Sequence, residues 1–181
     1  MCVKPKQLKN IHVPCVFLNG CKLELVTRYK YLGHIMCDDN KDDDAVASQI
    51  RGLYSRGNTL IKHFKYCSED IKSLLFKTYC SSFYCCHLWS NCSADSRNRM
   101  KVAHNRIFRV LMNLEHRVSM SHNFILYNVH HSNVIARNSI NGFMDRICMS
   151  SNSLLVTILE SNFYNDCLML KHWCNTIYTN T

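Results

Sequence analysis

The string Met36-Cys37-Asp38-Asp39 is the one most suggestive of metal chemistry. Two adjacent aspartates on a hairpin can hold two Mg²⁺ ions for in-line transfer of a nucleotidyl group. That chemistry also needs a third carboxylate on a separate strand, and no such strand precedes position 36. Asp42–Asp44 follow just before an apolar-periodic run, where carboxylates suit the unpaired amides of a helix N-terminus. We therefore predict that helix capping and solvation account for these acids, and that Asp38 and Asp39 hold no metal.

A cluster of thiols with one imidazole occupies positions 80–92. Its members are Cys80, Cys85, Cys86, His87 and Cys92. Tetrahedral zinc sites usually draw on paired Cys-x2–4-Cys knuckles at turns, and the chain contains no Cys-x2-Cys spacing. On a continuous helix, Cys80 and Cys85 would point about 140° apart. We predict that these cysteines fill apolar space and that the chain has no metal site.

No set of residues for nucleophilic catalysis stands out. The chain lacks Gly-x-Ser-x-Gly, His-Glu-x-x-His and a glycine-rich phosphate loop, so we predict no catalytic residue. Its 12 cysteines follow no apolar secretion signal, and we expect reduced thiols in an intracellular, non-secreted protein of the nucleus or cytoplasm. No apolar run approaches the ~18 residues that would span a bilayer, so no membrane association is expected.

The elements that must position any site are predicted to be mainly helical. Only 5 Gly and 2 Pro are present, and the long periodic stretches favour helices over a many-stranded sheet. Short strands are predicted at 13–18 and 22–26 with a turn at Asn19-Gly20, and at 29–36 with a turn at Gly33. A helix is predicted from the Asp42–Asp44 segment to Phe64, and others at 68–86, 96–113, 121–128, 132–150 and 153–170.

The apolar faces of these helices follow from the 3.6-residue period. On the first helix the face comprises Val46, Ile50, Leu53, Tyr54, Gly57, Leu60, Ile61 and Phe64. On the second it comprises Ile71, Leu74, Leu75, Phe76, Tyr79, Phe83 and Cys86. On the third it comprises Met100, Ala103, Ile107, Val110 and Leu111.

Charge is the strongest functional signal in the composition. The formal net charge is +9 at pH 7, although five of the 13 acids lie between Asp38 and Asp44. Bases lie off the apolar face of the first helix at Arg51, Arg56, Lys62 and Lys65, and crowd the third at Arg97, Arg99, Lys101, Arg106 and Arg109. Such surfaces track phosphates of nucleic acid. Scattered solubilising charge is the alternative interpretation.

Several strings occur in an order that resembles reverse transcriptases of non-LTR retrotransposons, the endonuclease–reverse-transcriptase type. They are Val3-Lys-Pro-Lys, Leu18-Asn-Gly, Tyr29-Lys-Tyr-Leu-Gly-His, Gln49-Ile-Arg-Gly-Leu-Tyr-Ser-Arg-Gly-Asn-Thr-Leu, Phe64-Lys-Tyr-Cys-Ser, Lys72-Ser-Leu-Leu-Phe-Lys-Thr-Tyr-Cys, His87-Leu-Trp and Val102-Ala-His-Asn-Arg-Ile-Phe-Arg-Val-Leu. Together they cover roughly residues 3–117, and 118–181 is similar to the region after the thumb.

The resemblance implies a role for the hairpin around Gly33. Tyr31, Leu32 and Gly33 match the family's primer grip, which aims the primer 3′ hydroxyl at the metals, and Lys30 and His34 flank it as phosphate contacts. The helices that follow match the thumb, which holds the template–primer duplex. Fingers and palm are missing, and with them every catalytic carboxylate and the Mg²⁺ that they hold. The resemblance is therefore to a fragment that begins just past the catalytic hairpin.

The sequence thus predicts a mainly α fold with an N-terminal β-hairpin followed by a helical thumb-like bundle. Residues 1–40 form the hairpin segment, 41–117 the thumb-like domain and 118–181 a helical extension. The expected function is that of a noncatalytic part of an RNA-directed DNA polymerase of a transposable element, with no cofactor of its own. Its expected partners are a template–primer duplex of RNA and DNA, bound weakly and without sequence preference, and the missing fingers and palm. Two alternatives remain open: an independent basic nucleic-acid-binding module and a helical protein–protein adaptor.

Overall fold

The fold consists of two small β-hairpins followed by a helical body. The computed structural model describes Met1, Val3 and residues 13–161, 164 and 167–178, without the side chains of residues 168 and 178. The prediction of a mainly α fold is confirmed. Of the predicted similarity at Val3-Lys-Pro-Lys, residues 4–6 lie outside the described part of the chain. Within the described ranges, no helix is both long enough and apolar enough to cross a membrane.

The first hairpin pairs β1 (Phe17–Leu18) with β2 (Cys21–Lys22) in antiparallel register. Asn19 and Gly20 connect them with φ of 50° and 78°, as a two-residue type I′ turn requires. The predicted turn is therefore confirmed, while the strands are shorter than the predicted 13–18 and 22–26. All four strand residues are exposed.

The second hairpin pairs β3 (Arg28–Tyr31) with β4 (His34–Cys37), and Tyr31 lies opposite His34. Leu32 and Gly33 form its two-residue turn, as the sequence predicts. The β3 residues are exposed, whereas Ile35 of β4 packs against the hydrophobic core. This hairpin is therefore attached to the helical body through β4.

Helices α1 (Asp43–His63) and α3 (Ala94–Leu111) form the centre of the body. Residues of the predicted α1 face are buried: Val46, Ile50, Leu53, Gly57 and Leu60. At their crossing, a Cβ added to Gly57 would overlap the Cγ2 methyl of Ile107 and lie 3.0 Å from its Cδ1. Glycine at position 57 therefore sets how closely the two helices approach. On α3, Val110 is exposed, so its predicted place on the apolar face is wrong.

Helix α2 (Glu69–Cys80) begins after Ser68 as predicted but ends earlier than the predicted residue 86. Cys85 adopts a left-handed conformation with φ of 56°, and a 3₁₀ turn covers Cys86–Leu88. Because α2 contacts its neighbours along one narrow stripe, its buried residues are Ser73, Phe76 and Cys80. The predicted burial of Ile71, Leu74 and Tyr79 is wrong, since all three are exposed.

The C-terminal part contains α4 (Met120–Leu126), α5 (Ser132–Cys148), α6 (Ser153–Glu160) and α7 (Leu168–Tyr178). The single helix predicted at 153–170 is wrong, because α6 ends at Glu160. The Ser161 hydroxyl donates to the carbonyl of Ile158 at 2.7 Å. Short polar side chains of this kind compete with helix continuation by bonding to nearby backbone.

The centre of the core surrounds a buried histidine, His104 of α3. Its ring lies 5.0 Å from that of Phe76, 5.5 Å from Phe124 and 5.7 Å from Phe83, centroid to centroid. Neither ring nitrogen has a hydrogen-bond partner within the described residues. Burial, with a smaller contribution from the charge of His131, lowers the pKa of His104 to about 3. The imidazole is therefore a neutral core residue.

We predict that Gly57→Ala destabilises the protein while Gly52→Ala does not. At position 57 the added methyl must displace Ile107, and such overpacking typically costs about 1–3 kcal/mol. At position 52 it meets only the terminal Nη1 of Arg56 at 3.3 Å, which can move, and replacing glycine inside a helix gains up to about 1 kcal/mol. Urea unfolding of both variants measures the difference. Equal stabilities would contradict close packing of α1 against α3.

We predict that His104 makes the fold sensitive to acid. Its pKa is near 3 when folded and about 6.5 when unfolded, so between these values the unfolded chain binds the extra proton. Stability contributed by the neutral imidazole is therefore complete above pH 6.5 and is lost as pH falls towards 3, by up to about 1.4 kcal/mol per pH unit. His104→Leu should reduce the slope of unfolding free energy against pH.

Urea unfolding at pH 7, 6, 5 and 4 checks this slope, with His63→Leu at an exposed position of α1 as control. Burial also lowers the pKa of His87, His131 and His172, so part of the slope should persist in the His104 variant. An unchanged slope in His104→Leu would show that this ring is not buried in the neutral form.

Candidate nucleic-acid interface

Three consecutive carboxylates at the start of α1 contact segments outside their own helix. Asp42 Oδ2 accepts the backbone N–H of Asn91 at 2.8 Å. Asp43 Oδ1 accepts both the N–H and the hydroxyl of Ser93, the N-cap residue of α3, at 2.8 Å each. The prediction that these acids mark a helix start is confirmed, but the Asp42 side chain does not cap α1. The carboxylates instead attach the 91–93 segment to α1.

The third carboxylate, Asp44, attaches the second hairpin. Its Oδ2 lies 2.8 Å from Nε of Arg28 on β3 and accepts the thiol of Cys37 on β4 at 3.4 Å. Burial, then the hydrogen bond to Asp44, raises the pKa of Cys37 to about 11, so this thiol remains a donor. Both strands of the hairpin are therefore tied to the first turn of α1.

The neighbouring acids Asp38 and Asp39 lie in the turn after β4. Asp39 accepts the backbone N–H of Lys41 at 3.1 Å and lies 3.6 Å from its ammonium group. Within the described ranges, no group of three or more His, Cys, Asp or Glu side chains is arranged to hold a metal ion. Asp39 is thus engaged with Lys41.

The tip of the second hairpin is held from the other side by Tyr84. Its hydroxyl donates to the carbonyl of Leu32 at 2.6 Å, and its Cε1 lies 2.9 Å from the position of a Cβ on Gly33. A side chain at position 33 would therefore have to displace this ring, and the φ of 84° at Gly33 also favours glycine there. Sequence analysis did not identify Tyr84, because this contact joins residues 52 positions apart and has no local signature.

Backbone strain is concentrated around this contact. Six non-glycine residues of the described chain have positive φ, and four of them are asparagines, which tolerate that conformation. The other two are Leu32, with φ of 45°, and Cys85, with φ of 56°. They lie on the two sides of the Tyr84 contact, and each left-handed residue costs about 1–2 kcal/mol. Strained residues that the surrounding structure holds in place are common at functional sites.

The predicted hairpin residues differ in what they present to solvent. Lys30, Tyr31 and Leu32 are exposed, and Leu32 is 74% exposed. His34 is not: its side chain is 14% exposed, with Nε2 3.7 Å from Asp42 Oδ1. The outward surface of the tip is thus one cation, one phenol and one apolar side chain.

The predicted bases of α1 also divide into two groups. Arg51 and Lys62 are exposed and lie at helical positions opposite the buried face. Arg56 instead donates through Nε to the carbonyl of Tyr79 at 2.7 Å, near the end of α2, where a cation also favours the helix dipole. Arg56 therefore joins α1 to α2 in addition to carrying charge.

Lys65 lies beyond the end of α1, with its ammonium group 5.5 Å from the ring centroid of Tyr66. Tyr66 is 93% exposed, and an exposed ring beside a lysine can stack on bases or contact phosphates. The sequence places Tyr66 within the string Phe64-Lys-Tyr-Cys-Ser but indicates no role for it. It lies in the short connection between α1 and Ser68, the N-cap residue of α2.

The exposed residues of the hairpin tip and the exposed bases Lys62 and Lys65 lie at opposite ends of α1. His34 beside the hairpin tip contacts Asp42, whereas Lys62 follows the start of α1 by 19 residues. This separation is about 28 Å along the helix axis. Roughly eight base pairs of duplex span that distance at 3.4 Å per pair.

One imidazole lies close to a serine hydroxyl among the described residues. Nδ1 of His87 lies 3.4 Å from the Ser139 hydroxyl, but burial, and next the charge of Arg146, lower the pKa of His87. In a Ser-His-Asp triad a carboxylate stabilises the imidazolium, whereas here the charge of Arg146 disfavours it. Burial raises the pKa of the Cys80 thiol to about 11 and also raises those of Cys86 and Cys92, which makes them poor nucleophiles.

The predicted interpretation of the cysteine cluster holds in part. Cys80, Cys86 and Cys92 are buried in the core, as predicted. They do not lie on one helix, because α2 ends at Cys80 and Cys92 precedes α3. The helical angle between Cys80 and Cys85 used in the sequence argument is therefore wrong.

Comparisons with known proteins add no relative to these observations. No family model, curated protein or solved structure matches the chain. The case for a function therefore depends on the residues of this chain and on the geometry of the hairpin tip and α1.

Proposed function

We propose that this chain is the primer-grip and thumb portion of a reverse transcriptase of a mobile element. In this role it binds a template–primer duplex of RNA and DNA but does not polymerise by itself, since the resemblance places the catalytic carboxylates and their Mg²⁺ in a palm domain that these residues do not resemble. The observation that carries the proposal is the strained, exposed hairpin tip held by Tyr84. Leu32 has φ of 45°, a conformation that asparagine adopts with less strain than leucine. Its side chain is nevertheless 74% exposed.

The two ends of α1 have different tasks in this proposal. Lys30, Tyr31 and Leu32 contact the sugar–phosphate backbone at the primer end, and Gly33 lets Tyr84 fix the turn. His34 supports the tip through its contact with Asp42. Arg51, Lys62 and Lys65 contact phosphates of the duplex body, and Arg56 supports the α1–α2 pair.

The expected affinity is low and independent of sequence. The proposed contacts are to phosphate and sugar, which position a protein but carry no base information. Non-specific binding of this kind has Kd of about 10⁻⁴–10⁻⁶ M at physiological salt. The fingers and palm would supply the remaining affinity.

We predict that Lys62→Ala/Lys65→Ala weakens binding of duplex DNA and of an RNA–DNA hybrid, and reduces the dependence on salt. Each neutralised phosphate releases condensed counterions, so log affinity falls with log salt by about 0.9 per contact on B-form DNA. The double variant should therefore flatten the slope by about 1.8 on DNA, with the same sign on the hybrid. Fluorescence anisotropy of labelled duplexes at several salt concentrations measures this.

Lys22→Ala/Arg117→Ala removes the same charge from exposed positions outside α1 and should change the slope less. Tyr31→Ala should leave the slope unchanged, because the tip contacts one primer end. The wild-type chain should not extend a primed RNA with Mg²⁺ or Mn²⁺; extension abolished by Asp38→Asn would refute the noncatalytic assignment. Equal slopes for the two double variants would mean that the α1 bases only solubilise the protein.

One observation favours a second candidate, the protein–protein adaptor. Helix α6 is rich in apolar residues but has no buried residue, and Leu154 and Ile158 are exposed. If duplex binding is undetectable at low salt, this adaptor function becomes the better account. The salt titration therefore distinguishes the two functions.

A further inference from the structure

The connection between α1 and α2 presents one aromatic ring almost entirely to solvent. Tyr66 is 93% exposed, the largest exposed fraction among the large hydrophobic side chains of the described chain. Four other exposed tyrosines, Tyr29, Tyr31, Tyr79 and Tyr84, are only 51–57% exposed. The hydroxyl of Tyr66 makes no hydrogen bond to another described residue. The ring therefore contributes little to the packing of this fold, and both of its edges and its hydroxyl can reach a partner.

The backbone that carries this ring is held on both sides. Before it, the side chain of Phe64 packs against the hydrophobic core, and the Phe64 carbonyl accepts the backbone N–H of Cys67 at 3.2 Å. After it, the carbonyl of Ser68 accepts the N–H of Lys72 at 3.1 Å as α2 begins. A ring on a fixed turn loses less conformational entropy on binding than one on a loose segment.

The charges next to the ring are mixed. Lys62 and Lys65 are exposed before it, and the Lys65 ammonium group lies 5.5 Å from the ring centroid. Glu69 and Asp70 follow it in the first turn of α2, and Glu69 accepts the hydroxyl of Tyr127 at 2.8 Å. Two lysines against two acids attract a polyanion only weakly. Any strong contact at this turn must therefore use the ring as well as the lysines.

A ring and a neighbouring lysine suit an unpaired strand better than a duplex. In a duplex the faces of the bases are covered by their stacked neighbours, so an aromatic side chain finds a base face only at the ends. Unpaired bases expose their faces, and proteins hold them by stacking on aromatic side chains while cations contact the backbone. Stacking tolerates any sequence, because every base has such a face.

We propose that Tyr66 and Lys65 bind unpaired nucleotides, with one base stacked on the Tyr66 ring and the adjacent phosphate beside the Lys65 ammonium group. The partner is single-stranded nucleic acid that adjoins a duplex. The inference rests on the proposed function, since the unpaired strand belongs to the same template–primer. It adds a class of partner that the duplex contacts of Lys62 and Lys65 do not include, and it gives Tyr66 a role.

Fluorescence of an oligo(dT) strand that carries one 2-aminopurine tests the stacking with the full chain, because the fluorescence of this base falls when it stacks. Titration of the wild-type chain at low salt should quench the probe and saturate. Tyr66→Ala and Tyr66→Leu should each weaken binding about tenfold and remove the quenching, whereas Tyr66→Trp should retain both. Tyr79→Ala removes an exposed ring from α2 and should leave affinity and quenching unchanged.

Three outcomes would overturn the proposal. They are no binding of the single strand at low salt, equal affinity for wild type and Tyr66→Ala, and full retention by Tyr66→Leu, which would indicate an apolar contact of the kind a protein partner makes. A blunt duplex of RNA and DNA, titrated in parallel, separates this result from the proposed function. Tyr66→Ala should bind that duplex as wild type does. Duplex binding without single-strand binding would refute this inference alone, and single-strand binding without duplex binding would refute only the proposed function.

Discussion

Attachment of both β4 and the 91–93 segment to the first turn of α1 depends on Asp42, Asp43 and Asp44. Three adjacent carboxylates on a helix start repel one another, so each needs its own donors. For Asp43, hydrogen bonds from the hydroxyl of Ser96, and then from Ser93, lower the pKa of the carboxyl. The Arg28–Asp44 pair is weaker, since Arg28 is 70% exposed and exposed ion pairs contribute about 0–1 kcal/mol. Hydrogen bonds from backbone amides and serine hydroxyls, together with one exposed ion pair, therefore make this attachment.

This attachment explains how a strained turn can persist. An isolated two-stranded hairpin has marginal stability, and the β3–β4 turn carries the added cost of Leu32. Asp44 fixes both strands at the base of the hairpin, while Tyr84 fixes its tip at 2.6 Å. With both ends held, the backbone of the turn is fixed. A turn fixed in this way loses less conformational entropy when it binds a partner.

Local sequence signals were sufficient for some elements and not for others. Asn19-Gly20 and Leu32-Gly33 give turns because the residues that adopt positive φ lie within the turn itself. The buried stripe of α1 follows from its period, because α1 packs along its length on α3. The face of α2 could not be predicted in the same way, since exposed Leu74 and Tyr79 fit the period equally well. Only the packing partner decides which apolar residues are buried.

The residues of the candidate site could also be predicted only in part from the sequence. The exposed bases and the turn residues could be identified from the sequence, because charge and turn chemistry are local. Tyr84 at the hairpin tip, Ser93 at Asp43 and Tyr79 at Arg56 could not, as each contact joins residues 23 to 52 positions apart. Only the folded chain brings these residues into contact. Arg56 and His34 were both predicted to contact nucleic acid. In the structure, each also makes an interaction within the protein.

The central claim is that the hairpin tip meets a primer end while the far end of α1 meets the duplex body. A benzophenone side chain placed at position 32 or at position 62, irradiated with an end-labelled RNA–DNA hybrid, tests it directly. Position 32 should crosslink to the last one or two nucleotides of the primer, and position 62 to nucleotides several base pairs further inside, given a rise of about 28 Å along α1 from its start to Lys62. The same crosslink distribution from both positions, or none from position 32, would contradict the account.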